Sequence, residues 1–139
     1  MILKDIMTSD IASLNSSDSI QKAAKLMAQY NIGSVPICEN KQVVGIVTDR
    51  DIALRSVADG KDVNQQKVGD IMTKDVVTGS PSMNVHEAAK LMSDKQIRRI
   101  PVVQNNSLVG MVSLGDISLQ PQLQDNAEKA LSNISLPFK

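Results

Sequence analysis

Aromatic side chains are almost missing from this 139-residue chain, which has one Tyr, one Phe and no Trp. A single-strand nucleic-acid platform of stacked aromatics is therefore excluded. Any planar ligand must lie between aliphatic side chains and backbone. Cysteine is as scarce: Cys38 is the only one, so neither an intramolecular disulfide nor a cysteine-based zinc cluster can form. Excess charge is absent too. Fifteen Lys+Arg balance fifteen Asp+Glu, which gives no electrostatic reason to expect nucleic acid or an anionic membrane as partner. No apolar run nears the roughly 18–20 residues that span a bilayer. The start, Met1–Asp5, lacks the basic and apolar stretches of a signal peptide, so the expected compartment is the cytoplasm. What is present, 42% hydrophobic and 22% charged residues, reads as globular. The length suits one compact domain or two small modules sharing a core.

Self-comparison reveals the organisation. Shifting the chain by 65 residues aligns Leu3–Leu54 with Val68–Leu119 without a gap, and 20 of the 52 aligned positions are identical. DIMT recurs at Asp5–Thr8 and Asp70–Thr73, and AAKLM at Ala23–Met27 and Ala88–Met92. Pro36 matches Pro101, Gly45 matches Gly110, and Asp51-Ile52 matches Asp116-Ile117. The chain is a tandem duplication: a first repeat over 1–58, a linker over 59–67, a second repeat over 68–120 and a unique tail over 121–139. Asp59-Gly60 is a turn signal within the linker.

Both repeats carry the same pattern. A short extended piece (Ile11–Leu14; Val76–Thr78) precedes an amphipathic helix with apolar residues at Ile20, Ala23, Ala24, Met27 and Tyr30, or at Val85, Ala88, Ala89 and Met92. Asn84 followed by Glu87 predicts a capping box. Two apolar strands follow, Val35–Cys38 with Val43–Val47 and Ile100–Val103 with Leu108–Val112, joined by turns at Glu39–Lys41 and Gln104–Asn106. A second, shorter helix is expected over Asp49–Ser56 and Leu114–Leu119. The fold class is α/β (α+β), two strand–helix–strand–strand–helix units. A unit of about 52 residues is too small to bury a good core alone, so the two should pack around a pseudo-twofold axis. In the tail, Leu123, Ala127, Ala130 and Leu131 mark a short amphipathic helix that docks on the module or on a second copy.

These residues resemble the cystathionine-β-synthase (CBS) domain family. The shared features are the DIMT opening, the AAKLM helix, the apolar-Pro strands SVPI and RIPV, and the closing G-h-h-[TS]-x-x-D turn. Two copies at fixed offset are similar to a tandem CBS pair, or Bateman module, of the stand-alone bacterial kind. The resemblance implies a regulatory module that binds adenosine-containing ligands between its repeats and dimerises into a flat disc of four CBS units.

The turns Gly45–Asp51 and Gly110–Asp116 each place a hydroxyl residue at a helix start and an Asp three residues on. One reading is a capping box. The other is a nucleotide contact, because an Asp carboxylate can accept both hydroxyls of a ribose diol. Both can hold together, and in the family this hydroxyl and this Asp touch the nucleotide. The adjacent Arg98 and Arg99 are either a solvated strand start or a phosphate clamp, and the first repeat has Gly33-Ser34 in their place. The resemblance pairs Ile97, Arg98 and Arg99 with Thr48, Arg50 and Asp51 in a main cleft for a phosphorylated ligand, the adenine lying near Ile97, Val77 and Thr78. It pairs Ile32, Gly33 and Ser34 with Ser113, Gly115 and Asp116 in a second cleft for a weaker or uncharged ligand, or none. No catalytic residue, required cofactor or metal site is expected. His86 has no second His, and Cys38 reads as a small buried thiol. The expected partners are a regulatory adenosine ligand (AMP, ADP, ATP or S-adenosylmethionine), a second copy of the chain and an unnamed protein in trans, with no nucleic acid and no membrane. Two alternatives stand beside this reading: a ligand-free dimerisation scaffold, and a metal- or redox-responsive module using Cys38 and His86.

Overall fold

The structure, a computed structural model, describes residues 1–137. It divides into two compact units, the first over residues 12–76 and the second over residues 1–11 together with 77 onward. These units do not coincide with the sequence repeats.

In the first unit, the Ser19 hydroxyl accepts from the Lys22 amide at 3.1 Å and starts α2 (Ile20–Tyr30), after a short α1 (Leu3–Ile6) that belongs to the second unit. Helix α2 ends at Asn31, whose φ of 53° places it in the left-handed region. Strands β1 (Ser34–Glu39) and β2 (Gln42–Thr48) form an antiparallel hairpin. Its turn residues Asn40 and Lys41 both have positive φ, 50° and 68°, the signature of the tight turn whose twist suits a hairpin. Helix α3 (Asp49–Ile52) runs on as a single π turn over Ala53–Val57. The linker is partly docked: the Gln66 carbonyl accepts from the Ile20 amide and the Val63 carbonyl from that of Gln21, both at 3.0 Å. Gly60, at φ 69°, supplies the turn expected at Asp59-Gly60.

The second unit repeats the plan with α4 (Val85–Lys95), the hairpin β3 (Arg99–Gln104) and β4 (Ser107–Ser113), and α5 (Leu114–Ser118). The capping box expected at Asn84 does not form, although Asn84 does cap the helix. Asn84 Oδ1 accepts from the His86 amide at 2.8 Å, one residue earlier than a capping box requires, and no reciprocal bond from Glu87 forms. A further helix, α6 (Gln124–Ile134), lies on α4 and α5. It reaches three residues beyond the apolar stripe that predicts it.

The extended pieces expected before α2 and α4 are single parallel bridges, Leu14 to Ile37 and Gly79 to Val102. The Leu14 amide donates to Pro36 O, and the Cys38 amide to Leu14 O. The next rung would need an N–H from Pro36, and in the other unit from Pro101. Proline has none, so the ladder stops.

Each unit has its own core. The first buries Leu14, Ile20, Met27, Val35, Ile37, Val47, Val68 and Ile71. The second buries Leu3, Val85, Met92, Ile100, Val102, Val112, Leu114 and Ile117, and α6 adds Leu123, Ala127 and Ala130. The two DIMT segments are exchanged between repeats. Thr8 and Met111 trade both backbone bonds at 2.9 Å within the second unit, whereas Ile46 and Thr73 do so at 3.0 and 2.9 Å within the first. Glycine makes this close approach possible. A Cβ at Gly45 would collide with the Met72 side chain, and one at Gly110 with that of Met7.

Candidate functional site

Both hydroxyl–acid turns fold as reciprocal caps. Thr48 Oγ1 accepts from the Asp51 amide at 3.0 Å, and Asp51 Oδ2 accepts from the Thr48 amide at 3.0 Å. In the second unit Ser113 Oγ accepts from the Asp116 amide at 3.1 Å, and Asp116 Oδ2 accepts from that of Ser113 at 2.8 Å. Capping leaves acceptor capacity at each carboxylate, since an ionised carboxyl offers about four lone-pair sites. Asp51 Oδ1 lies 3.8 Å from Arg55 Nε, and Arg55 also donates to the Ile71 carbonyl at 3.1 Å. Asp116 Oδ1 makes no hydrogen bond among the described residues.

Strand register decides which candidate residues share a face. Ser34 pairs with Thr48, and Arg99 with Ser113. The Asp49 amide donates to the Gly33 carbonyl at 3.0 Å, and the Leu114 amide to the Arg98 carbonyl at 2.8 Å. Within one unit, therefore, Gly33 and Ser34 adjoin Thr48, while Arg98 and Arg99 adjoin Ser113 and Gly115. The sequence reading distributes these neighbours over two different clefts. Ser34 is buried, Ile32, Arg50 and both arginines 98 and 99 are exposed, and Ile97 is half-buried against the second core. Val77 and Thr78 lie in the irregular segment before Gly79, with Thr78 exposed.

The second unit contains an open groove of about 660 Å³. Arg98 and Arg99 form one side with Ser113 and Gly115, and Gln124, Glu128 and Leu131 of α6 form the other. Neither arginine makes an ion pair within 4.0 Å among the described residues. Sequence reasoning missed the α6 contribution, because the tail has no counterpart in the repeat and its polar residues carry no motif.

The remaining chemistry is sparse. Cys38 is half-buried, and burial pushes its thiol up from the ordinary value, outweighing a hydrogen bond from Ser13. This opposes the thiolate a redox or nucleophilic role needs. Glu39 moves the other way. Hydrogen bonds from the Ser16 hydroxyl and amide, with a smaller one from Asn15, hold its carboxyl below the usual range. No cluster of three or more His, Cys, Asp or Glu placed to hold a metal occurs among the described residues. Nor is any helix among them long and apolar enough to cross a membrane.

The CBS domain family model matches residues 3–57 and 68–119. The CBS domain-containing protein YhcV of Bacillus subtilis is 44% identical over 133 residues, covering 96% of this chain and 94% of that one. The CBS domain pair of protein MJ0100, solved in complex with 5-methylthioadenosine and S-adenosyl-L-methionine, superposes with a TM-score of 0.77 at 34% identity, covering 86% of this chain and 94% of that one. The CBS domain protein PAE2072 of Pyrobaculum aerophilum, complexed with AMP, gives a TM-score of 0.82 at 27% identity, covering 94% and 99%. With both repeats matched and each hairpin closed by a capped hydroxyl–acid turn, the chain belongs to the CBS domain family as a tandem pair.

Proposed function

We propose that this protein is a non-enzymatic regulatory module that binds an adenosine-containing nucleotide and signals by a change of conformation. The observation that carries the reading is the pair of capped turns, Thr48–Asp51 and Ser113–Asp116. Each presents a hydroxyl and a carboxylate with spare acceptor capacity at a helix start. The ligands bound by MJ0100 and PAE2072 support the adenosine class. In this reading Asp51 holds the ribose diol and Thr48 and Arg50 lie toward the phosphate. Arg99 supplies charge with Arg98, and Ile97, Val77 and Thr78 flank the base. Ligand binding favours one of two conformations, and a partner protein in trans reads the shift. A second copy of the chain completes the assembly, supported by Tyr30, Leu54 and Val57, which are 51–60% exposed on the first unit.

A second reading reverses the ranking of the two turns. Arg98 and Arg99 adjoin Ser113 within one unit, and Asp116 has the freer carboxylate oxygen, so the Ser113–Asp116 turn becomes the phosphate-bearing one. Calorimetry with AMP and adenosine separates them. Asp51→Ala should weaken both ligands by about 10- to 100-fold, the range for losing hydrogen bonds to a charged group. Arg99→Ala should weaken AMP and leave adenosine nearly unchanged. If Asp116→Ala produces the loss and Asp51→Ala does not, the second reading holds. No binding to wild type would favour the ligand-free scaffold.

A further inference from the structure

The tail helix does more than cover apolar surface. Leu123, Ala127 and Ala130 face the second core, which turns Gln124, Glu128 and Leu131 to a flank of α6 with the i, i+4, i+7 spacing of one helical stripe. That stripe is a wall of the groove holding Arg98 and Arg99. Two guanidiniums thus share an open cavity with a single carboxylate, and no ion pair within 4.0 Å joins them among the described residues. Gln96 Nε2 ties down the far end of the helix by donating to the Asn133 and Leu136 carbonyls at 3.0 and 3.1 Å. The wall is therefore held in place.

We propose that Glu128 of α6 is a specificity-determining residue that sets the charge preference of the Arg98–Arg99 groove. Its carboxylate opposes the field of the two arginines, so a singly charged or neutral ligand gains little there. A phosphorylated ligand must bring enough negative charge to engage both guanidinium forks. The ligand class is a phosphate or pyrophosphate group, and the identification of its remainder as adenosine rests on the function proposed above.

The test titrates AMP, adenosine and inorganic pyrophosphate into the full chain, as wild type, Glu128→Gln, and Glu128→Gln in an Arg98→Ala/Arg99→Ala background. Glu128 is exposed, so its replacement should leave the melting temperature unchanged. Glu128→Gln should bind AMP and pyrophosphate roughly 2- to 5-fold more tightly, the scale of an exposed charge pair, and adenosine with unaltered affinity. The gain should vanish in the arginine-free background and shrink at about 0.5 M salt, where screening acts within a few ångströms. Unchanged affinity for both anions, or an equal gain for adenosine, overturns the proposal. Binding of neither anion to wild type or Glu128→Gln overturns it as well. Pyrophosphate tightened by Glu128→Gln without any AMP binding would defeat the nucleotide reading and leave this one standing. AMP binding indifferent to Glu128 would do the reverse.

Discussion

Glu39 shows how much one side chain can organise. It ends β1 and accepts from the Ser16 hydroxyl, the Ser16 amide and Asn15 Nδ2, tying the segment before α2 to the hairpin. Those bonds favour the ionised form, so its carboxyl pKa is lowered in the folded protein. The stability they confer is present above the unfolded Glu value of about 4.3 and is lost as pH falls through the lower folded value. Glu39→Gln should lower the melting temperature at neutral pH, and the gap from wild type should close as the solution is acidified through that range. A gap constant with pH would show that the carboxylate charge is irrelevant. Lys41 carries the opposite sign of effect. At φ 68° its Cβ is in the left-handed region, where the corresponding Asn106 is better suited.

Among the elements, α6 has the largest separate consequence. Leu123, immediately before it, is 1% exposed in the second core, and Ala127 and Ala130 are 5% and 1% exposed. Small residues at these positions let the helix approach α4 and α5 closely. Leu123→Ala should cost about 2–5 kcal/mol, the range for truncating a buried leucine, read as a shift of the urea midpoint. A loss below about 1 kcal/mol would mean that α6 is a loosely attached appendage. The first unit has no counterpart of α6. Ala24, the repeat mate of the buried Ala89, is exposed there, as is Asp49, the mate of the buried Leu114. The duplicated helices have thus diverged according to what covers them.

For the molecule as a whole, the exposed side chains of the first unit bear on assembly. Tyr30, Leu54 and Val57 are 56%, 51% and 60% exposed, apolar side chains that burial against a second copy would remove from water. Sedimentation equilibrium should give twice the 15.0 kDa chain mass or a larger multiple. Leu54→Asp combined with Val57→Asp should shift the population toward monomer while leaving the melting profile of the monomer intact. A monomer mass for wild type at high concentration would remove the second copy from the account.

The amino-acid sequence by itself determined the duplication, the helix and hairpin positions and the two hydroxyl–acid turns. Each of these follows from local periodicity, repeat offset or capping chemistry that a short window contains. Each strand extends one residue beyond expectation at both ends, because edge pairing is set by the partner strand. Three features needed the tertiary structure. The DIMT segments pack on the hairpin of the other repeat, around glycines whose missing Cβ is legible only once Met72 and Met7 lie against them. The extended pieces before α2 and α4 end after one rung, because Pro36 and Pro101 sit where the next N–H must donate. Glu128 meets the arginine groove through α6 packing on α4 and α5. That juxtaposition joins residues about thirty positions apart, and no periodicity in the chain encodes it.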